Sequence, residues 1–150
     1  MDFKNDPRIA SFEAKISKIE PILLGIMLLG FVEKAQDWGI PDAVFIVSLS
    51  LLACLYFFRG VILVHPDFTP MERFINKLIY FSMVSGLISF LFQVMSFPNW
   101  EPLAIAALTM FWLVFVFLVL KKLAITKFLT TIELSTIVLI LIYFAKVFLT

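Results

Sequence analysis

Arg59, Lys77 and Glu133 are the residues whose type and setting ask for chemistry, because each lies inside or at the edge of a long apolar run. An ionised side chain at mid-bilayer costs about 2.5 to 3.5 kcal/mol even on the mildest insertion scale, so such a charge needs a partner, a route to the interface or a task. Counted from the same ends of their runs, all three lie one to two turns deep, and a shared layer lets them meet as an ion-paired cluster. Two uses of that cluster are open. One is a proton relay or ion pathway. In the other, Arg59 and Lys77 reach up to headgroups while Glu133 pairs with one of them and holds helices together. Depth near an interface rather than at the midplane favours the second.

A second candidate is the stretch 80–97, YFSMVSGLISFLFQVMSF. At 3.6 residues per turn Ser82, Ser85, Gly86, Ser89, Gln93 and Ser96 share one narrow face, and Phe81, Leu87 and Phe92 are expected toward lipid or the rim. That face either lines a hydrated path ending at Gln93 or lets other helices approach closely. Small residues and back-bonding hydroxyls favour packing. Gly25 and Gly30 are five apart, make no GxxxG face and carry little weight in this reading.

Little else offers reactivity. His65 is the only histidine and Cys54 the only cysteine, no carboxylate pair has ligand spacing, and no HExxH, P-loop or GxSxG pattern occurs. The expectation is no enzyme: no catalytic residue, no metal and no cofactor. Basic residues follow the apolar runs instead of forming a base-reading surface, so no nucleic acid is expected as partner.

Around these residues the composition dictates the setting. The chain has 150 residues, 62% hydrophobic and 15% charged, whereas about a quarter of residues are charged in soluble domains. It reads as an all-α integral membrane protein forming one transmembrane domain. We expect a five-helix transmembrane bundle with spans near 16–36, 43–64, 74–97, 103–121 and 128–149; four spans with an interfacial first helix is the alternative. Residues 8–20 space Ile9, Phe12, Ile16 and Ile19 for a helix on the membrane surface. The acids among the first twenty residues and the lack of a small-x-small site predict that the N-terminus is retained. Turns are expected at 36–42 and 98–102, each with a tryptophan, and Thr69-Pro70-Met71-Glu72 reads as a capping box.

With five spans, Lys4, Arg8, Lys15, Lys18, Arg59, Arg73, Lys77, Lys121, Lys122 and Lys127 fall on one side, and Lys34 and Lys146 on the other. The positive-inside rule then puts the N-terminus in the cytoplasm and the C-terminus outside, with Trp38 and Trp100 in the outer aromatic belt.

The run Gly30-Phe31-Val32-Glu33-Lys34-Ala35-Gln36-Asp37-Trp38-Gly39-Ile40-Pro41, followed by the apolar helix to Phe58, resembles the N-terminal transmembrane hairpin of Bacteroidetes gliding-motility and type 9 secretion motor proteins and their small relatives. The resemblance covers about residues 20–58 and implies an inner-membrane protein. The best-studied members of that family belong to a proton-driven motor. This chain has Arg59 and no acid in its second helix and adds three spans, so location and hairpin shape carry over but motor activity does not. The expected function is a non-catalytic packing or accessory subunit of a membrane complex, with the lipid bilayer and a protein partner or second copy as its contacts. The alternative is a small proton or ion conductor using Arg59, Lys77 and Glu133.

Overall fold

The structure, a computed structural model, describes residues 7–36, 42–62 and 65–150. They form five helices and no strand: α1 (Pro7–Gln36), α2 (Asp42–Ile62), α3 (Pro70–Val94), α4 (Trp100–Lys121) and α5 (Thr131–Leu149). The last four are long and apolar enough to cross a membrane, as in a multi-pass membrane protein. The first expected turn, with Trp38, lies outside the described residues except at its two ends.

α3 is the centre of the bundle. It pairs with α2 on one side and α4 on the other, α5 lies against it, and α1 pairs with α2 and touches α5. With neighbours on three sides it buries more than one stripe. Ser82, Gly86 and Ser89 are inside as expected, but so are Met83, Leu87 and Phe90. Leu87 is therefore a core residue and not a lipid-facing one. A Cβ at Gly86 would lie 2.7 Å from Ile140 Cγ2, so α5 meets α3 where α3 has no side chain. One turn on, the rings of Phe90 and Tyr143 stand 4.3 Å apart.

α1 departs most from expectation. It is one helix of 30 residues that continues through Pro21, so the segment 8–20 and the span expected near 16–36 belong to a single element. Its buried residues are Ile16, Glu20, Leu23, Leu24, Met27, Gly30 and Glu33, while Phe12, Ile19 and Ile22 are exposed. Steps of three and four make this one stripe. The two acids that interrupt its apolar run are turned toward the bundle. A Cβ on Gly30 would come within 2.4 Å of the Phe45 ring, which corrects the small weight given to that glycine. Gly25 faces open space. Pro21 has no N–H for the carbonyl of Ser17, so the α1 ladder is interrupted one turn before it.

Three boundaries also move. α3 stops at Val94 because Ser96 turns left-handed (φ 56°). α4 begins at Trp100, with Pro102 in its first turn, where a missing N–H leaves no helical bond unmade. α4 ends on left-handed Lys122, and the Leu123 N–H reaches back to the Leu118 carbonyl at 2.9 Å, a Schellman-type stop made without glycine. A short 3-10 turn, Ile125–Lys127, leads to Thr130, which caps α5.

Candidate functional site

The site grows out of one side chain. Arg59 stands three residues before the end of α2, and its guanidinium is directed into the bundle with 7% of the side chain exposed. Its Nη1 donates to Glu20 Oε2 and to Glu133 Oε1, both at 2.7 Å. The two glutamates are 3% and 2% exposed. A single nitrogen thus joins α1, α2 and α5.

Glu133 is held by its own helix. It is the third residue of α5, where it completes a capping box with Thr130. Oε2 accepts from the Thr130 N–H at 2.8 Å and from the Thr130 hydroxyl at 3.1 Å, and that hydroxyl accepts from the Glu133 N–H at 3.3 Å. Oε1 accepts from Arg59 and from the Tyr80 hydroxyl, also at 2.7 Å. Two oxygens therefore take four donors at the positive end of a helix, the setting that best supports a carboxylate charge. Tyr80 comes this close because α2 presents Gly60 to it: a Cβ there would lie 2.7 Å from Tyr80 Cβ.

Glu20 has fewer donors. Besides Arg59 it accepts from the Tyr56 hydroxyl, on Oε1 at 2.9 Å. The same hydroxyl lies 2.9 Å from Thr136 Oγ1, and Thr136 donates to the Ile132 carbonyl at 3.2 Å. Arg59 has donors to spare: Nη2 reaches only the Ser17 hydroxyl at 3.4 Å, and Nε is buried with no bond among the described residues. Ser17 itself is exposed. With both carboxylates ionised the cluster would carry one net negative charge in a low-dielectric interior, at a cost of several kcal/mol.

Apolar layers bound the site. One to two turns further into the bundle stand Leu49, Leu52, Met83, Leu87 and Ile140, each 1% exposed or less. Toward the loops lie Ile75, Ile79, Phe128 and Leu129, all buried, with the Phe68 and Phe128 rings 5.2 Å apart. Beyond them Lys127 pairs with Glu72, and Arg73 donates to the carbonyls of Phe68 at 3.0 Å and Pro66 at 3.2 Å.

Of the three charges the sequence placed in one layer, Arg59 and Glu133 meet and Lys77 does not. Lys77 is exposed, and at that level α3 turns Asn76, Ile79 and Tyr80 inward instead. The partner missed by sequence reasoning is Glu20. Its signal was spacing: it falls four residues after Ile16 and three before Leu23, within the apolar stripe of α1. On the small-residue face, Ser82, Gly86 and Ser89 are buried, Ser85 and Gln93 are half-buried, and Ser96 is exposed. Ser82 donates to the Leu78 carbonyl of its own helix at 2.6 Å, while Ser89 donates to the Trp100 carbonyl at 2.8 Å and ties α3 to the first turn of α4.

Comparison with protein families, with curated proteins and with solved structures gives no match to this chain.

Proposed function

We propose that the protein is a multi-pass protein of the inner membrane that acts by contact and not by catalysis, as a packing or assembly subunit of a membrane complex or with a second copy of itself. The observation that carries this reading is where the polar groups go. Three charged side chains of the helices, Glu20, Arg59 and Glu133, are turned inward, with Arg59 bonded to both acids. Away from the end of the bundle where Lys18 and Lys77 are exposed, the outward side chains are largely apolar. α4 is the plainest case, with Ala104, Ala107, Val114 and Leu118 buried and Trp112, Phe115 and Leu120 66%, 56% and 71% exposed. The bulky side of that helix is free to meet lipid or another protein's helices. The antiparallel pairing of α1 with α2, its Glu20 inward, supports α1 as a fifth crossing beside the four apolar helices, and the positive-inside rule then favours a cytoplasmic N-terminus and an outer C-terminus. The hairpin resemblance adds support for the inner membrane. The layer of Leu49, Leu52, Met83, Leu87 and Ile140 supports contact over conduction, since it interrupts any hydroxyl path from the cluster to Gln93.

A photo-crosslinking residue in place of Trp112, followed by purification from native membranes, tests the proposal. Cross-linking to one protein species, or to a second copy, is expected. A protein that stays monomeric in mild detergent and cross-links to lipid alone overturns it.

A further inference from the structure

We propose that Glu20 is a buried proton-binding site, taking one proton from the aqueous side at Ser17 while Glu133 remains the carboxylate paired with Arg59. The inference concerns the interior of the bundle and stands whether or not its outer surface meets a partner.

Hydrogen-bond counting leads to it. From Glu20 runs a line of three contacts, to Tyr56 at 2.9 Å, on to Thr136 at 2.9 Å, and on to the Ile132 carbonyl at 3.2 Å. Two hydroxyls supply two protons for these three contacts, and the carbonyl at the end supplies none. With Glu20 ionised, one contact has no proton in it. With Glu20 protonated, its O–H donates to Tyr56, Tyr56 to Thr136 and Thr136 to Ile132, and all three are satisfied. Glu133 has no such vacancy, because both of its oxygens are already filled by the donors of Arg59, Tyr80 and Thr130.

Charge gives the same assignment. Two carboxylates and one guanidinium sum to one negative charge, and one proton makes the cluster neutral, the form a low-dielectric interior favours. The titratable groups around Glu20 are Tyr56 and Arg59 from α2, Tyr80 from α3 and Glu133 from α5, with Ser17 and Thr136 as neutral hydroxyls. Lys18, Lys77 and Lys127, the next basic groups along these elements, are exposed. The proton passes from hydronium to Glu20 Oε1, leaving water. An O–H bond forms there, and the Tyr56 and Thr136 hydroxyls turn to point away from it. Ser17 is both exposed and 3.4 Å from Arg59 Nη2, and its carbonyl lacks the N–H that Pro21 cannot give, so the polar side of the site opens there. The apolar layer on the far side closes it, which makes this a site that loads and unloads at one face.

Infrared difference spectroscopy and thermal unfolding of the full chain in lipid nanodiscs test the proposal. At neutral pH the protein should show a protonated-carboxyl C=O band that is lost in Glu20→Gln and moved in frequency by Tyr56→Phe. Because glutamine copies the neutral acid, Glu20→Gln should keep its melting temperature within about 2 °C, and Glu133→Gln should lose several times that. No band in the unaltered protein, a band that survives Glu20→Gln, or a Glu20→Gln variant that melts as early as Glu133→Gln or fails to fold, overturns it.

Discussion

Replacing Arg59 with methionine removes the donor that joins three helices while keeping an unbranched side chain to fill the space. The two bonds from Nη1, each 2.7 Å long, go to carboxylates that are 3% and 2% exposed. Hydrogen bonds to charged groups contribute about 1.5 to 3 kcal/mol each, so two make about 3 to 6. Breaking a buried pair by deleting one partner costs about 3 to 5 kcal/mol, a consistent figure. For a chain of this length each kcal/mol moves the melting temperature by about 2 to 4 °C, so Arg59→Met should melt about 6 to 20 °C lower. Thermal unfolding in a mild detergent, followed by circular dichroism, reads the change. The decisive comparison is the triple variant Arg59→Met, Glu20→Gln, Glu133→Gln, in which no charge is left unpaired. It should regain most of the loss, because a buried ion cluster replaced as a whole by neutral groups is often no less stable. Lys77→Met, three residues from Tyr80 but exposed, serves as control and should change little. The reasoning fails if Arg59→Met melts within 2 °C of the parent, or if the triple variant melts no higher than the single one.

The close approach of α5 to α3 predicts opposite signs for two glycines. Gly86→Ala should lose up to about 2 kcal/mol in the same melting assay, because a Cβ placed 2.7 Å from a β-branched methyl outweighs the helix propensity gained, whereas Gly25→Ala meets nothing and should gain up to about 1. Thr130→Ala removes the cap of α5 and one of the four donors to the Glu133 carboxylate and should cost about 1 to 2 kcal/mol; Thr130→Ser, which keeps the hydroxyl, should restore nearly all of it. Equal melting of the alanine and serine variants would remove the capping box from the account of the cluster.

The four apolar helices were legible because in a bilayer the run of apolar residues and the helix are nearly the same thing. Thr69 and Glu72 gave the start of α3 directly. Thr130 and Glu133 have the same spacing, but Phe128 and Leu129 precede them, and extending the apolar run across the cap placed Glu133 deeper than the first turn it occupies. Arg59 and Glu133 stood out because a charge in an apolar run costs free energy. Glu20 did not, since it follows a segment already rich in charge, where one more carboxylate calls for no partner. Its inward direction depends on α1 continuing through Pro21 beside α2, a tertiary fact. Depth along a helix was readable for Lys77, but the side it faces was not: three residues separate it from Tyr80, and only the neighbours of α3 decide which of the two points inward.

The partners of Arg59 lie 39 residues before it and 74 after it, and that separation has a bearing on how the protein is made. When α1 leaves the ribosome its Glu20 has no partner; α2 supplies Arg59 and Tyr56, but the second acid for Arg59 comes only with α5, the last helix described. Until then the polar interior of a partly made chain is open on the side where α5 will lie. A chain cut short before Thr131 would leave Arg59 without one of its two acids and the Tyr80 hydroxyl without its acceptor. The bonds of Arg59 are thus complete only once α5 is in place.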